Sequence, residues 1–320
     1  MAASEEKPFE TRLFDDGDDE ETLIYKNLLQ SLITQSKSPS VVATDIDSWV
    51  AQNANQKFNA LKSRDPPFRL DGGEEEWLSM RLLGPNPSKD INSLFEAIAV
   101  ICSAFPPSSP AQDRLIELVQ SLKDQPHHDV PSVSPKENDS GTYDFTETTT
   151  LWQFGTDNVR YLMMNFNSEA EELAYPFSDV ETPGSEVQLR WRNLQAFVAR
   201  LTTSSLIDCG DLCALSNILP SSSAYPDLGE RKVGGPKRIE GDLLAGSHWI
   251  SSEQACRWVY EQCKATEAKK GRFYDLWNMK TWNELKGQLS YIMGDERFST
   301  ESRQLAKSLR EKMDSQEIES

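Results

Sequence analysis

The chain has 320 residues, 33 of them basic and 51 acidic, for a net charge of -18, and 38% are hydrophobic. No apolar run approaches the roughly eighteen residues that a membrane-crossing helix needs, which excludes a helical span. A surface this acidic repels phosphate backbones and anionic lipid, so neither nucleic acid nor a membrane is an expected partner.

The opening Met1-Ala-Ala-Ser-Glu-Glu-Lys has no apolar stretch, which argues against a secretory or transit segment. Five cysteines, an odd number, point to reduced thiols and a cytoplasmic or nuclear location. Residues 1–20 read as an acidic disordered tail closing with Asp15-Asp16-Gly17-Asp18-Asp19-Glu20.

An N-terminal helical half is expected over residues 21–124. Tyr25, Leu28, Leu29, Leu32 and Ile33 recur at helical spacing, and Ile46, Trp49, Val50 and Leu61 mark a second helix before Pro66-Pro67. A short helix is expected around Trp77, Leu78 and Leu82. Ile91, Leu94, Phe95, Ile98, Ile101, Cys102 and Phe105 form the next face. Ser109-Pro110 with Gln112 reads as a capping box opening a helix with Leu115, Leu118, Val119 and Leu122.

Residues 125–150 lose the apolar period and carry Pro131, Pro135 and Gly141, which makes them a flexible loop or linker. A C-terminal helical half follows over 151–313, with residues 314–320 as a tail. Its helices carry Leu162, Met163 and Phe166, then Trp191, Leu194, Phe197, Val198 and Leu201. Another carries Leu206, Leu212, Leu215 and Leu219. Ser251 with Gln254, and Thr281 with Glu284, read as caps of helices bearing Trp258 and Trp282. A last helix uses Leu305 and Leu309. No stretch alternates with period two for long enough to be a strand. The fold class is all-α, an array of about ten mostly antiparallel helices in two packed halves.

Several residue sets carry side chains capable of chemistry. Asp15-Asp16-Gly17-Asp18-Asp19 has the spacing of a magnesium-diphosphate motif, but a partner motif on a facing helix is missing, since Asn138-Asp139 to Glu147 is off by one residue. The histidines are His127, His128 and His248, too few for a metal triad or a nucleophile–base pair; the first two read as exposed loop residues, the last as structural. Cys209 with Cys213 and Cys256 with Cys263 share helix faces without a C-x-x-C knuckle, so they read as core thiols. Arg190, Arg192 and Arg200 flank the Trp191 stripe, where an arginine over an indole face is the structural expectation. The basic residues at 231–238 and 264–272 read as solvated surface. No catalytic residue, cofactor-binding residue or metal ligand is nominated. Trp152, Met163, Trp191, Phe197, Trp258, Trp277 and Trp282 form an aromatic and methionine set that lines either a pocket or the core.

Four passages resemble one fungal family. They are Leu151-Trp152-Gln153-Phe154 leading to Asn165-Phe166; Trp191-Arg-Asn-Leu-Gln-Ala-Phe-Val-Ala-Arg-Leu-Thr; Ala255-Cys256-Arg257-Trp258-Val259; and Leu276-Trp277 with Trp282-Asn-Glu-Leu and Ser299-Thr-Glu-Ser-Arg-Gln-Leu-Ala. The family is the fungal domain of unknown function 3632. The likeness covers residues 150–313 well and 20–125 by helix pattern only. It departs at Cys209-Gly-Asp-Leu-Cys213, which lacks a central tryptophan. It implies a helical fold and a filamentous fungal source, and supplies no substrate or catalytic residue. The expected role is a non-catalytic intracellular interaction or regulatory protein with a protein partner. The alternative is an enzyme or small-molecule-binding accessory protein of fungal secondary metabolism.

Overall fold

A computed structural model of the chain describes residues 6–65, 67–68, 83–132, 147–154, 159–173, 184–219, 235–268 and 277–319. The protein is all-α. Ten α-helices and one short two-stranded ribbon make up the regular structure among these residues, with 3-10 turns between helices. The expected helix around Trp77 lies outside the described residues, as do Asn138 and Asp139 and most of the basic residues at 231–238 and 264–272.

Two compact units form, and each is discontinuous in sequence. The ribbon unit comprises Arg12–Ile98 and Asp113–Asn165; the central-helix unit comprises Met1–Thr11, Ala99–Gln112 and Phe166–Ser320. Chain order and spatial grouping therefore differ, because three helices each divide their residues between the units.

The ribbon unit starts with α1 (Glu20–Ile33), whose N-cap Asp19 accepts from Thr22 N, and α2 (Pro39–Lys62), capped by Ser38 with proline at its first position. These helices bury Leu29, Leu32, Val42, Ile46 and Val50, each worth roughly 2 kcal/mol when removed from water. The Tyr25 and Trp49 rings meet at 5.4 Å across the pair. The first residues of α3 (Pro87–Ala104), the end of α4 (Pro110–Lys123) and the start of α5 (Val159–Leu173) complete the helices. The loop at 125–150 contributes β1 (Asp129–Pro131) paired antiparallel with β2 (Thr148–Thr150), with Val130 opposite Thr149. Three residues per strand are too few for an alternation to register in the sequence. Residues 133–146 lie outside the described set.

The central-helix unit is organised on α6 (Glu186–Thr203), whose apolar stripe of Leu194, Phe197, Val198 and Leu201 is fully buried. Its polar residues are buried too: Gln188, Arg190, Arg192, Asn193 and Gln195. Around it lie α7 (Gly235–Gly246), α8 (Glu253–Ala268), α9 (Met279–Gly294) and α10 (Thr300–Glu319).

Four expectations are corrected by the structure, most of them in this unit. The segment with Leu206, Leu212, Leu215 and Leu219 is not an α-helix. It reverses at Ser205 (φ 56) and runs through 3-10 turns Gly210–Leu212 and Ala214–Ile218. Gln195 holds it there: its amide donates to Leu212 O at 2.7 Å and its oxygen accepts from Ala214 N at 2.9 Å. These bonds replace the ladder that a helix would have made. Secondly, the caps shift. Ser252, not Ser251, accepts from Ala255 N, and Asn278, not Thr281, caps α9. Gln112 makes no reciprocal box; its amide donates to the carbonyls of Cys102, Phe105 and Asn193.

Thirdly, residues 6–19 are not a free tail. Phe9 N donates to Ala104 O, Arg192 clasps the Glu6 carboxylate at 3.0 and 2.6 Å, and Arg190 donates to Glu10 O at 2.6 Å. The Arg190 guanidinium covers the Phe9 ring at 5.2 Å, so the cation–π contact is made to phenylalanine and not to an indole. Within the ribbon unit, Leu13 is buried and Asp18 pairs with Lys26 at 2.6 Å. The last correction is the C-terminus: 314–319 continues α10, where Glu317 accepts from Trp282 Nε1 at 2.7 Å and pairs with Lys286.

Candidate ligand-binding cavity

A cavity of about 310 Å³ opens within the ribbon unit, at the N-terminus of α3. Asn86 Oδ1 caps the helix by accepting from Lys89 N at 3.1 Å, and this start places Ser88, Ile91 and Asn92 on one wall. Strand β2 brings Thr149 and Thr150 to a second wall, and Leu162 of α5 closes another side. The turn after β2 supplies Trp152, Gln153 and Phe154. All the described lining residues are uncharged.

Register explains how the turn is held. Thr150 lies opposite Asp129, and its hydroxyl donates to Asp129 Oδ1 at 2.5 Å. Leu151 N donates to His128 O at 3.0 Å, and Phe154 N donates to Trp152 O at 3.0 Å. Trp152 is left at φ 62, a left-handed conformation that costs a bulky residue on the order of 1–3 kcal/mol. One side-chain bond anchors it against that strain. Its Nε1 donates to Asp47 Oδ1 at 2.6 Å, and His128 Nε2 lies 2.7 Å from the same oxygen. Asp47 of α2 thus holds both strands at one end of the ribbon, and His128 is a paired residue, not a solvated loop residue as the sequence suggests. Phe154 packs edge-on against Phe95 at 6.2 Å.

The seven-residue aromatic and methionine set is not one site. Only Trp152 lines this cavity; Met163 is half-buried in the same unit, outside the lining. The other five belong to the central-helix unit. Trp258 and Trp277 pack with Trp249 at 6.4 and 5.7 Å, Trp282 meets Tyr260 at 4.9 Å, and Phe197 meets Phe166 at 6.0 Å. A second, more open recess lies beside Trp258, where Glu253 and Arg257 pair with each other at 2.7 Å. Sequence reasoning missed Asn92, Thr149 and Thr150 as lining groups. The β-branched run Thr148-Thr149-Thr150 before Leu151-Trp152 was the available signal for a strand that aims them.

A family model, described as protein of unknown function (DUF3632), matches residues 95–301, well over half of the chain. The chain belongs to this family. No curated protein and no solved structure matches it. The DUF3632 match begins inside α3, so Ser88, Ile91 and Asn92 precede it, while the β2 wall, the Trp152 turn and Leu162 fall within it.

The titratable groups of this DUF3632 member lie elsewhere. Asp242 of α7 is wholly buried; Trp191 Nε1 and Asn217 Nδ2 donate to its Oδ1 at 3.0 and 3.4 Å, while Oδ2 has no partner. Burial raises its carboxyl to about 7, with the two donors opposing. Burial, then the Arg192 charge, lowers His248 to about 4, so its imidazole is neutral near pH 7. None of the five cysteines is in a disulfide and all are buried, and burial pushes Cys102, Cys209 and Cys213 well up and Cys256 up to about 11. Among the described residues no group of three or more His, Cys, Asp or Glu side chains is placed to hold a metal ion. In the acidic run, Asp19 serves as the α1 cap and Asp18 pairs with Lys26. No helix among the described residues is long and apolar enough to cross a membrane.

Proposed function

We propose that this protein is a non-catalytic binding protein with a regulatory task, and that the ribbon-unit cavity is where it takes a small molecule. The observation that carries the reading is the cavity lining: hydroxyls, amides and apolar surface, with no acid, base or thiolate among the described residues. Such a wall can desolvate and orient a molecule, but it offers no proton transfer and no nucleophile of useful reactivity. The protein's raised thiols and its buried carboxyl support the same reading, because each is packed in the central-helix unit away from solvent. Five buried cysteines outside any disulfide fit a reducing compartment.

Native mass spectrometry after equilibration with a small-molecule extract tests this. The expected result is a ligand bound with one-to-one stoichiometry and recovered with its mass unchanged. Time-dependent conversion of that molecule by the protein would overturn the non-catalytic reading.

A further inference from the structure

Resting on the reading of the cavity as a binding site, we propose that its ligand is an uncharged aromatic compound of one or two rings bearing a hydroxyl or carbonyl oxygen. Size sets the first limit. The cavity holds 310 Å³, about the liquid volume of ten water molecules, which suits a fused bicycle and not an extended chain.

Charge sets the second. A carboxylate or ammonium entering this space would surrender hydration and meet no counter-charge among the described lining residues. The carboxylates bonded to lining residues are already engaged: Asp47 accepts from Trp152 and contacts His128, and Asp129 accepts from Thr150.

Ring surface and polar positions set the third. Trp152 and Phe154 both line the space, and Trp152 Nε1 is committed to Asp47, so the indole contributes ring surface and no donor. Aromatic contacts gain more than their buried area alone provides. Asn92 accepts from Asn165 through Oδ1, which leaves its amide hydrogens for a ligand oxygen. The Thr150 hydroxyl spends its hydrogen on Asp129 and keeps acceptor capacity for a ligand hydroxyl. The left-handed backbone at Trp152 sits where this ring is presented, and strain of this kind concentrates at ligand sites.

Isothermal titration calorimetry on the full chain with three probes of equal size decides the matter. The probes are 2-naphthol, 2-naphthoate with the same rings and a negative charge, and decahydro-2-naphthol with a saturated frame. Expected is saturable one-to-one binding of 2-naphthol, with the other two at least tenfold weaker. Leu162→Trp fills the cavity and should abolish binding. Ile91→Phe, at a half-exposed position tolerant of change, should weaken it about tenfold and decides the point if the first variant does not fold by circular dichroism. Asn92→Ala should cost a few-fold. Naphthoate binding as well as naphthol overturns the proposed ligand class but leaves the cavity as a binding site. Absence of 2-naphthol binding, or binding unaffected by Ile91→Phe, overturns the proposal outright. The binding-protein reading is judged separately by the mass of the extracted ligand.

Discussion

Trp249 Nε1 donates to Gln195 Oε1 at 2.9 Å, and the same oxygen accepts from Ala214 N at 2.9 Å. One fully buried amide thereby ties a fully buried indole to a non-helical segment, with its own NH₂ closing on Leu212 O at 2.7 Å. Replacing Gln195 by leucine leaves an indole N–H, a backbone N–H and a backbone C=O buried without partners. At about 1–3 kcal/mol for each such group, the loss is on the order of several kcal/mol. Urea denaturation should show it. A Gln195→Leu protein within about 1 kcal/mol of the parent would mean that the 3-10 segment is held by packing alone.

Asp242→Asn should stabilise the protein above neutral pH and not below pH 4. The native carboxyl is raised to about 7, above its unfolded value near 4. Below about 4 it is neutral in both states and contributes no difference. Between about 4 and 7 the unfolded chain ionises while the buried group resists, so stability falls; above about 7 the loss is complete. It amounts to roughly 4 kcal/mol, reduced by any relaxation that lets water reach the group. Asparagine keeps the acceptor for Trp191 without the titration. Unfolding curves of the two proteins at pH 4 and pH 8 should converge at the first and separate at the second; parallel curves would refute the argument.

Removing residues 1–11 is expected to lower the melting temperature measurably. Arg190 is 1% exposed, and the segment supplies its bond to Glu10 O and the Phe9 ring beneath its guanidinium. Without them a buried cation retains Glu186 and Ser103 only. A cost on the order of 3 kcal/mol follows from uncovering part of a buried charge network. Thermal denaturation followed by circular dichroism measures it, and an unchanged midpoint would return the segment to the status of a tail.

The thiols should be silent in the native state. All five are buried, and a buried thiol with a raised pKa presents almost no thiolate at pH 8. Ellman's reagent should titrate fewer than one thiol per chain without denaturant and five in guanidinium. Fast reaction of one native cysteine would identify an opening motion near it.

The sequence by itself determined most of the helices, the Leu206–Leu219 segment excepted: apolar residues every three or four positions fixed which faces are buried, and the Trp191 stripe lies in the most enclosed helix of its unit. It also determined family membership, through packing residues that a family model detects over 95–301. Tertiary structure alone decided what the polar residues between those apolar positions do. Periodicity weighs Arg190, Asn193 and Gln195 as the solvent side of an amphipathic helix, yet α6 is enclosed all round, so they are buried and bonded to distant backbone. The cavity was out of reach for the same reason. Its walls come from the start of α3, a three-residue strand, a strained turn and α5, and the bond that seats Trp152 joins residues 105 positions apart. Local spacing encodes which face turns inward; which distant backbone or side chain meets it there is set by packing.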